Sequence, residues 1–185
     1  MSFPEFTTNR LELTRITSSD VESVFELFSS PDVVKFYDLE AFNERSQAEK
    51  LIRLFESRHE SSSGIRWAIR MKESGKLVGT CGFNAWNEKM RNATIGYDLK
   101  PEYWNKGITT EALSAIIRAA FTGLLSCGQL HRIQADTIPG NVASEKVLLK
   151  LGFKEEGIRR ECVFIRESYC DMKCFGLLMP NFNET

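Results

Sequence analysis

Tyr103-Trp-Asn-Lys-Gly-Ile-Thr-Thr-Glu-Ala-Leu113 runs a glycine-containing turn into apolar residues at helical spacing, with a lysine but no acid between Trp104 and Thr110. Such a turn leaves backbone N–H groups unpaired at a helix start, where the helix dipole adds partial positive charge. Phosphate is the natural guest of that arrangement, although an ordinary strand–helix connection reads the same way. The familiar nucleotide loops fit worse, since the chain has no G-x-x-x-x-G-K-[ST] and no G-x-G-x-x-G. Further along, Asn141 follows Pro139-Gly140 as a strong N-cap, and Ser144 adds a hydroxyl one helical turn later. Cys170-Asp-Met-Lys-Cys174 invites a metal reading, but it has no second cysteine pair and the chain has only 2 histidines. Strand alternation puts both thiols on one face, where buried cysteines are common, and no metal site is expected. Asp98, Glu161 and Glu88 are candidate general bases, each equally readable as a solvated carboxylate. No nucleophilic Cys–His or Ser–His pair suggests itself.

The elements that must hold these residues are read from periodicity. Asn9–Ile16 alternates as a first strand. Ser19-Asp-Val-Glu22 reads as a capping box for a helix burying Val21, Val24, Phe25 and Phe28, and Pro31 starts a short helical piece through Tyr37. Ser46-Gln-Ala-Glu49 reads as a second box, ahead of Ala48, Leu51, Ile52 and Phe55. Ile65–Met71, Lys76–Trp86 and Asn92–Leu99 then form an antiparallel meander with short breaks. A long helix follows the turn, with Ile108, Ala112, Leu113, Ile116, Ile117, Ala120, Phe121 and Leu124 inward. After it come a strand at His131–Thr137, a short helix from Asn141 to Leu151 closed by Gly152, and strands at Phe153–Ile165 and Tyr169–Leu178. Seven strands, mixed but mostly antiparallel, with helices on both faces, give an α+β class.

Composition narrows the partners. At 185 residues, 42% hydrophobic and 26% charged, one domain over residues 1–185 is expected. A net charge of −1 favours neither nucleic acid nor anionic membrane as partner. No apolar run reaches membrane-span length, and Met1-Ser-Phe-Pro-Glu-Phe6 lacks a signal peptide's basic start and apolar core. An odd count of 5 irregularly spaced cysteines argues against a disulfide framework, so a cytoplasmic, reduced chain is expected.

The turn at Trp104–Thr109, Asn141-Val-Ala-Ser144, and Leu151-Gly-Phe153 followed by Glu156-Gly157 stand in an order that closely resembles the GNAT superfamily of acyl-CoA-dependent N-acetyltransferases. Within it the chain is most similar to the ribosomal-protein-alanine N-terminal acetyltransferase branch. The resemblance runs from Thr8-Asn-Arg-Leu-Glu-Leu13 to Tyr169-x-Asp171. The family's pyrophosphate signature, Q/R-x-x-G-x-G/A, falls on Trp104, Asn105, Lys106, Gly107, Ile108 and Thr109; Gly107 matches, while Trp104 and Thr109 depart from it.

The resemblance implies an acetyl-CoA cosubstrate and two strands that splay apart around its pantetheine arm. It places backbone groups of Tyr97 to Leu99 along that arm, one of them as an oxyanion donor, with Tyr97 otherwise readable as a core aromatic. It also implies that Asn141 bonds the arm, and that Ser144 serves the departing thiolate. Many members use a tyrosine for that last task at the position of Leu148, which cannot donate. A glutamate assigned as base in the similar branch falls on Val163 here, with Glu161 nearby. The acceptor is then a primary amine: a protein N-terminus, or a small amine such as an aminoglycoside, polyamine or amino acid, handled by a monomer or homodimer. A non-catalytic acyl-CoA-binding sensor is the competing reading.

Overall fold

The computed structural model describes residues 3–182, so Met1 and Ser2 of the N-terminal hexapeptide fall outside it. A mixed sheet of eight strands runs in the order β1-β2-β3-β4-β5-β6-β8-β7. The strands are β1 (Phe6–Thr7), β2 (Leu11–Arg15), β3 (Ile65–Met71), β4 (Leu77–Asn87), β5 (Asn92–Leu99), β6 (Arg132–Thr137), β7 (Lys154–Ile165) and β8 (Ser168–Leu178). The eighth strand, beyond the seven expected, is β1. Its two residues are too few to show alternation in sequence, and they pair with Glu12 and Leu13 of β2. All neighbours are antiparallel except β5 and β6, which run parallel.

Helices cover both faces. On one lie α4 (Ile108–Thr122) and α5 (Val142–Lys150), packed against Trp67, Cys81, Phe83 and Ile95. On the other lie α1 (Val21–Phe28), α2 (Pro31–Val34) and α3 (Arg45–Glu60), packed around Ala68 and Leu77. Strand alternation explains the division: Ile65, Trp67 and Ile69 of β3 join the first cluster and Ala68 the second.

The helix ends depart from expectation in instructive ways. Both capping boxes sit two residues earlier than the sequence suggests. Thr17 N donates to Asp20 Oδ2 at 2.9 Å ahead of α1, and Glu44 N donates to Gln47 Oε1 at 3.0 Å ahead of α3. An N-cap needs extended backbone, which Glu44 has (φ −135°, ψ 140°), whereas Ser46 already lies inside the helix. The short helix α2 stops at Val34, before Tyr37. Leu124 is 67% exposed rather than inward, because α4 ends at Thr122 and Gly123 turns the chain with φ 76°. The expected closure of α5 is present as a paired hydrogen-bond motif: Phe153 N donates to Leu148 O at 3.1 Å and Gly152 N to Leu149 O at 3.0 Å.

Candidate active site

The parallel partners β5 and β6 share only three register positions, Asn92 with Arg132, Ala93 with Ile133 and Thr94 with Gln134. Beyond Thr94 they part, while β5 stays paired to β4 as far as Leu99 opposite Gly79. The odd-numbered residues of β5 therefore present main-chain groups to a gap with no neighbouring strand. Two of the carbonyls on that edge are capped by side chains. Tyr37 Oη donates to Tyr97 O at 3.2 Å, and Trp104 Nε1 donates to Leu99 O at 2.7 Å. The N–H groups of the same edge are the ones left facing the opening. Trp104 thus has a task in this chain that a glutamine or arginine would not perform in the same way.

At the end of β5 the chain turns into α4. Asn105 (φ 59°) and Gly107 (φ 73°) are both left-handed, so successive N–H groups curl around a concavity of the kind that accepts anions. Among the described residues, the first N–H past Trp104 with a partner in the chain is that of Glu111, on Gly107 O at 3.0 Å. The N–H groups from Asn105 to Thr110 have none. A Cβ at Gly107 would have only Arg10 Nη2 nearby, at 3.5 Å, so space permits a side chain there while the positive φ strains any L-residue. Ile108 is buried and anchors the helix start, and Lys106 Nζ lies 5.5 Å above the Tyr103 ring at the rim. Six free donors at the positive end of a fifteen-residue helix suit a diphosphate.

Opposite, Asn141 caps α5 by accepting Ser144 N at its Oδ1, 3.3 Å away. Ser144 Oγ stands 2.6 Å from Tyr97 Oη, and Tyr97 Oη also donates to Ser144 O at 3.2 Å. This contact bridges the parted strands from β5 to the helix that follows β6. Burial pushes the Tyr97 phenol up to about 12, a little offset by the Ser144 hydrogen bond, so it stays protonated and available as a donor at neutral pH. Leu148 is fully buried and apolar, which leaves hydroxyl chemistry at this spot to Ser144 and Tyr97.

The candidate bases are placed differently from one another. Asp98 points to the face opposite Tyr97 and is buried in an ion pair with Arg66 Nη2. Thr80 Oγ1 donates to the same oxygen, Asp98 Oδ2, at 3.0 Å, and Arg66 also binds Thr80 Oγ1 and Asn84 Oδ1, each at 3.0 Å. The Asp98 carboxylate, expected as a candidate base, is thus engaged by Arg66 and Thr80 on the opposite face of β5 from the Tyr97–Ser144 hydroxyls. Glu161 is exposed on a bulge of β7, with φ 46°, and its N–H donates to Asp171 Oδ1 at 2.9 Å. It shares no hydrogen bond with Tyr97 or Ser144. Glu88 is exposed in the β4–β5 turn. Cys170 and Cys174 are free, partly buried thiols, and no cluster of three His, Cys, Asp or Glu able to hold a metal occurs among the described residues.

Sequence reasoning missed three residues. Tyr37 reaches the gap from beyond α2, where burial and then the Asp98 charge push its phenol well above the ordinary value. Arg66 sat unremarked in a strand, although an arginine flanked by apolar residues in a buried strand signals an internal partner. Arg10 donates from Nη1 to Lys106 O at 2.9 Å, tying the first strand's approach to the anion turn.

Comparison with known proteins agrees with this geometry. The profile of the family described as Acetyltransferase (GNAT) domain matches residues 10–154. The chain belongs to the GNAT acetyltransferase family. It is 35% identical to Uncharacterized N-acetyltransferase YoaA of Bacillus subtilis (strain 168), over 96% of this chain and 98% of that one. It is 26% identical to the [Ribosomal protein uS5]-alanine N-acetyltransferase of Escherichia coli (strain K12), over 67% of this chain and 62% of that one. A GNAT-family acetyltransferase from Bacillus anthracis shares the fold with a TM-score of 0.83 at 24% identity, covering 96% of this chain and 99% of the other. This GNAT domain is an acetyl-CoA-dependent N-acetyltransferase, and no helix among its described residues is long and apolar enough to cross a membrane.

Two substitutions test the site's assignments. Gly107→Val should weaken CoA binding roughly tenfold or more, about 1.4 kcal/mol, by straining the turn; titration calorimetry with wild-type affinity in a folded variant would remove the turn as the anion site. Asp98→Ala should cost about 3–5 kcal/mol of stability by stranding the Arg66 charge. Urea unfolding that shows near wild-type stability alongside lost turnover would return Asp98 to a catalytic role.

Proposed function

We propose that this GNAT domain, spanning residues 1–185, moves the acetyl group of acetyl-CoA to the α-amine of a protein N-terminus by direct attack. The observation that carries this reading is the Tyr97–Ser144 hydroxyl pair, 2.6 Å apart across the mouth of the parted strands. When bound, acetyl-CoA supplies an activated acyl group as a thioester. The N–H groups from Asn105 to Thr110 hold the diphosphate, Asn141 orients the start of α5, and the N–H groups of Tyr97 and Leu99 line the arm and polarise the thioester carbonyl. The amine nitrogen bonds to the acetyl carbon as the carbon–sulfur bond breaks; Ser144 Oγ–H, with the Tyr97 phenol donating to its Oγ, gives its proton to the departing sulfur and regains one from the water that takes up the amine's surplus proton.

Among the described residues no carboxylate hydrogen-bonds to Tyr97 or Ser144, which fits an α-amine. Asp98 is held by Arg66, and Glu161 stands on an exposed bulge. An α-amine of pKa about 7.7–8.0 is roughly a tenth neutral at pH 7, whereas a lysine amine near about 10.4 is neutral roughly once in a few thousand molecules. Similarity to the uS5-alanine acetyltransferase supports the same acceptor class.

Incubation with acetyl-CoA and an amine panel, followed by free thiol, tests the reading. Thiol release is expected with peptides bearing a free N-terminal alanine or serine. Release only with aminoglycosides, polyamines or amino acids would move the acceptor to small molecules. Tight CoA binding with no release on any amine would make the domain a sensor. With the acceptor in hand, Ser144→Ala should lower turnover about tenfold to a hundredfold, the low end for acid–base groups because a thiolate leaves readily. CoA affinity should hold, since the hydroxyl acts on charge that develops during the reaction. Unchanged turnover would make Ser144 structural, and a loss confined to affinity would make it a ligand of the arm.

A further inference from the structure

Glu111 lies in the first turn of α4, directly behind the anion turn. Its carboxylate takes three hydrogen bonds from the N-terminal segment: Thr8 Oγ1 at 2.6 Å, Arg10 N at 2.8 Å and Arg10 Nε at 2.7 Å. Burial opposes the charge, but these bonds and the Arg10 guanidinium outweigh it and hold the carboxyl below its usual value. The group is therefore an anion at neutral pH. An anion in the first helical turn steadies the helix dipole, yet its field opposes a second, doubly charged anion on the same N–H groups.

Arg10 answers that conflict by its placement. Nε meets the Glu111 carboxylate, while Nη1 donates to Lys106 O at 2.9 Å and so engages the one carbonyl that directly precedes Gly107. Nη2 donates to nothing among the described residues and stands 3.5 Å from where a Gly107 Cβ would sit. The arginine thus places positive charge beside the concavity, with its side chain 42% exposed against 19% for Glu111.

We propose that Arg10 is a positioning residue for the diphosphate turn, cancelling the Glu111 charge and holding the Lys106 carbonyl out of the anion's way. This rests on the reading of the Asn105–Thr110 turn as the acetyl-CoA site. The chain's first strands then serve cofactor binding across a sequence separation of 96 residues, from Arg10 to Lys106.

The test is calorimetric titration of CoA into wild type, Arg10→Gln, Glu111→Gln and the double variant, each at low and high ionic strength, with thermal melts as a folding check. Arg10→Gln should weaken CoA binding about tenfold at low salt, with a deficit that shrinks at high salt as screening weakens the Glu111 field. Glu111→Gln should bind no more weakly than wild type, and the double variant should recover most of the loss. Unchanged affinity in Arg10→Gln, a salt-independent deficit, or a double variant as weak as the single would each overturn the proposal. If Arg10→Gln does not fold, the double variant carries the test alone: affinity within about threefold of wild type supports the proposal and a tenfold loss refutes it. Failure of wild type to bind CoA would instead refute the cofactor reading of the turn.

Discussion

The parting of β5 from β6 after three paired residues is the constraint on which the rest of the site depends. A strand edge inside a sheet costs free energy when its polar groups lack partners. Here the chain satisfies the Tyr97 and Leu99 carbonyls of that edge with Tyr37 and Trp104 and leaves the N–H groups to the opening. The hydroxyl pair of Tyr97 and Ser144 spans the same opening, and the anion turn lies just past the strand's end. Three separate chemistries, donor edge, hydroxyl pair and anion turn, follow from one interruption in a ladder of hydrogen bonds.

Holding that interruption open requires rigidity on both sides. On the α1–α3 face, Arg66 links Thr80 and Asn84 of β4 to Asp98 of β5 and rests on the Phe55 ring 5.5 Å away, which locks β3, β4 and β5 together beneath the gap. Gly96 makes room for this cluster, since a Cβ there would stand 2.6 Å from Asn84 Nδ2. On the other face the fully buried Leu113, Ile116 and Ile117 seat α4 on the sheet, so the donors at its start are held by the core rather than by a loose loop. The Arg10–Glu111 contact adds a third tie, from the first strands to the turn itself.

Much of this was legible in the residues alone. The meander, the long helix and the closure at Gly152 follow from local periodicity and turn chemistry, which act within a few residues. Gly107 and Asn141 were legible because a left-handed turn and an N-cap restrict residue type strongly. The two-residue β1 and the true caps at Thr17 and Glu44 were not, because a strand so short has no period and neighbouring polar residues compete for one cap. The ion pair of Asp98 was not legible for a different reason. Its role depends on Arg66, 32 residues earlier, and on Thr80, and no local pattern reports a cross-strand ion pair. Tyr37 and Arg10 escaped notice on the same grounds, since each acts through a contact made only by the tertiary fold.

The central claim is that one ligand spans the donor edge of β5 and the turn before α4. Backbone amide hydrogen exchange, measured with and without saturating CoA, reads both segments in the same sample. Slowed exchange at Tyr97 and Leu99 together with Asn105 to Thr110 is the expected result. Slowed exchange elsewhere in the chain, with these amides unchanged while CoA is bound, would contradict it.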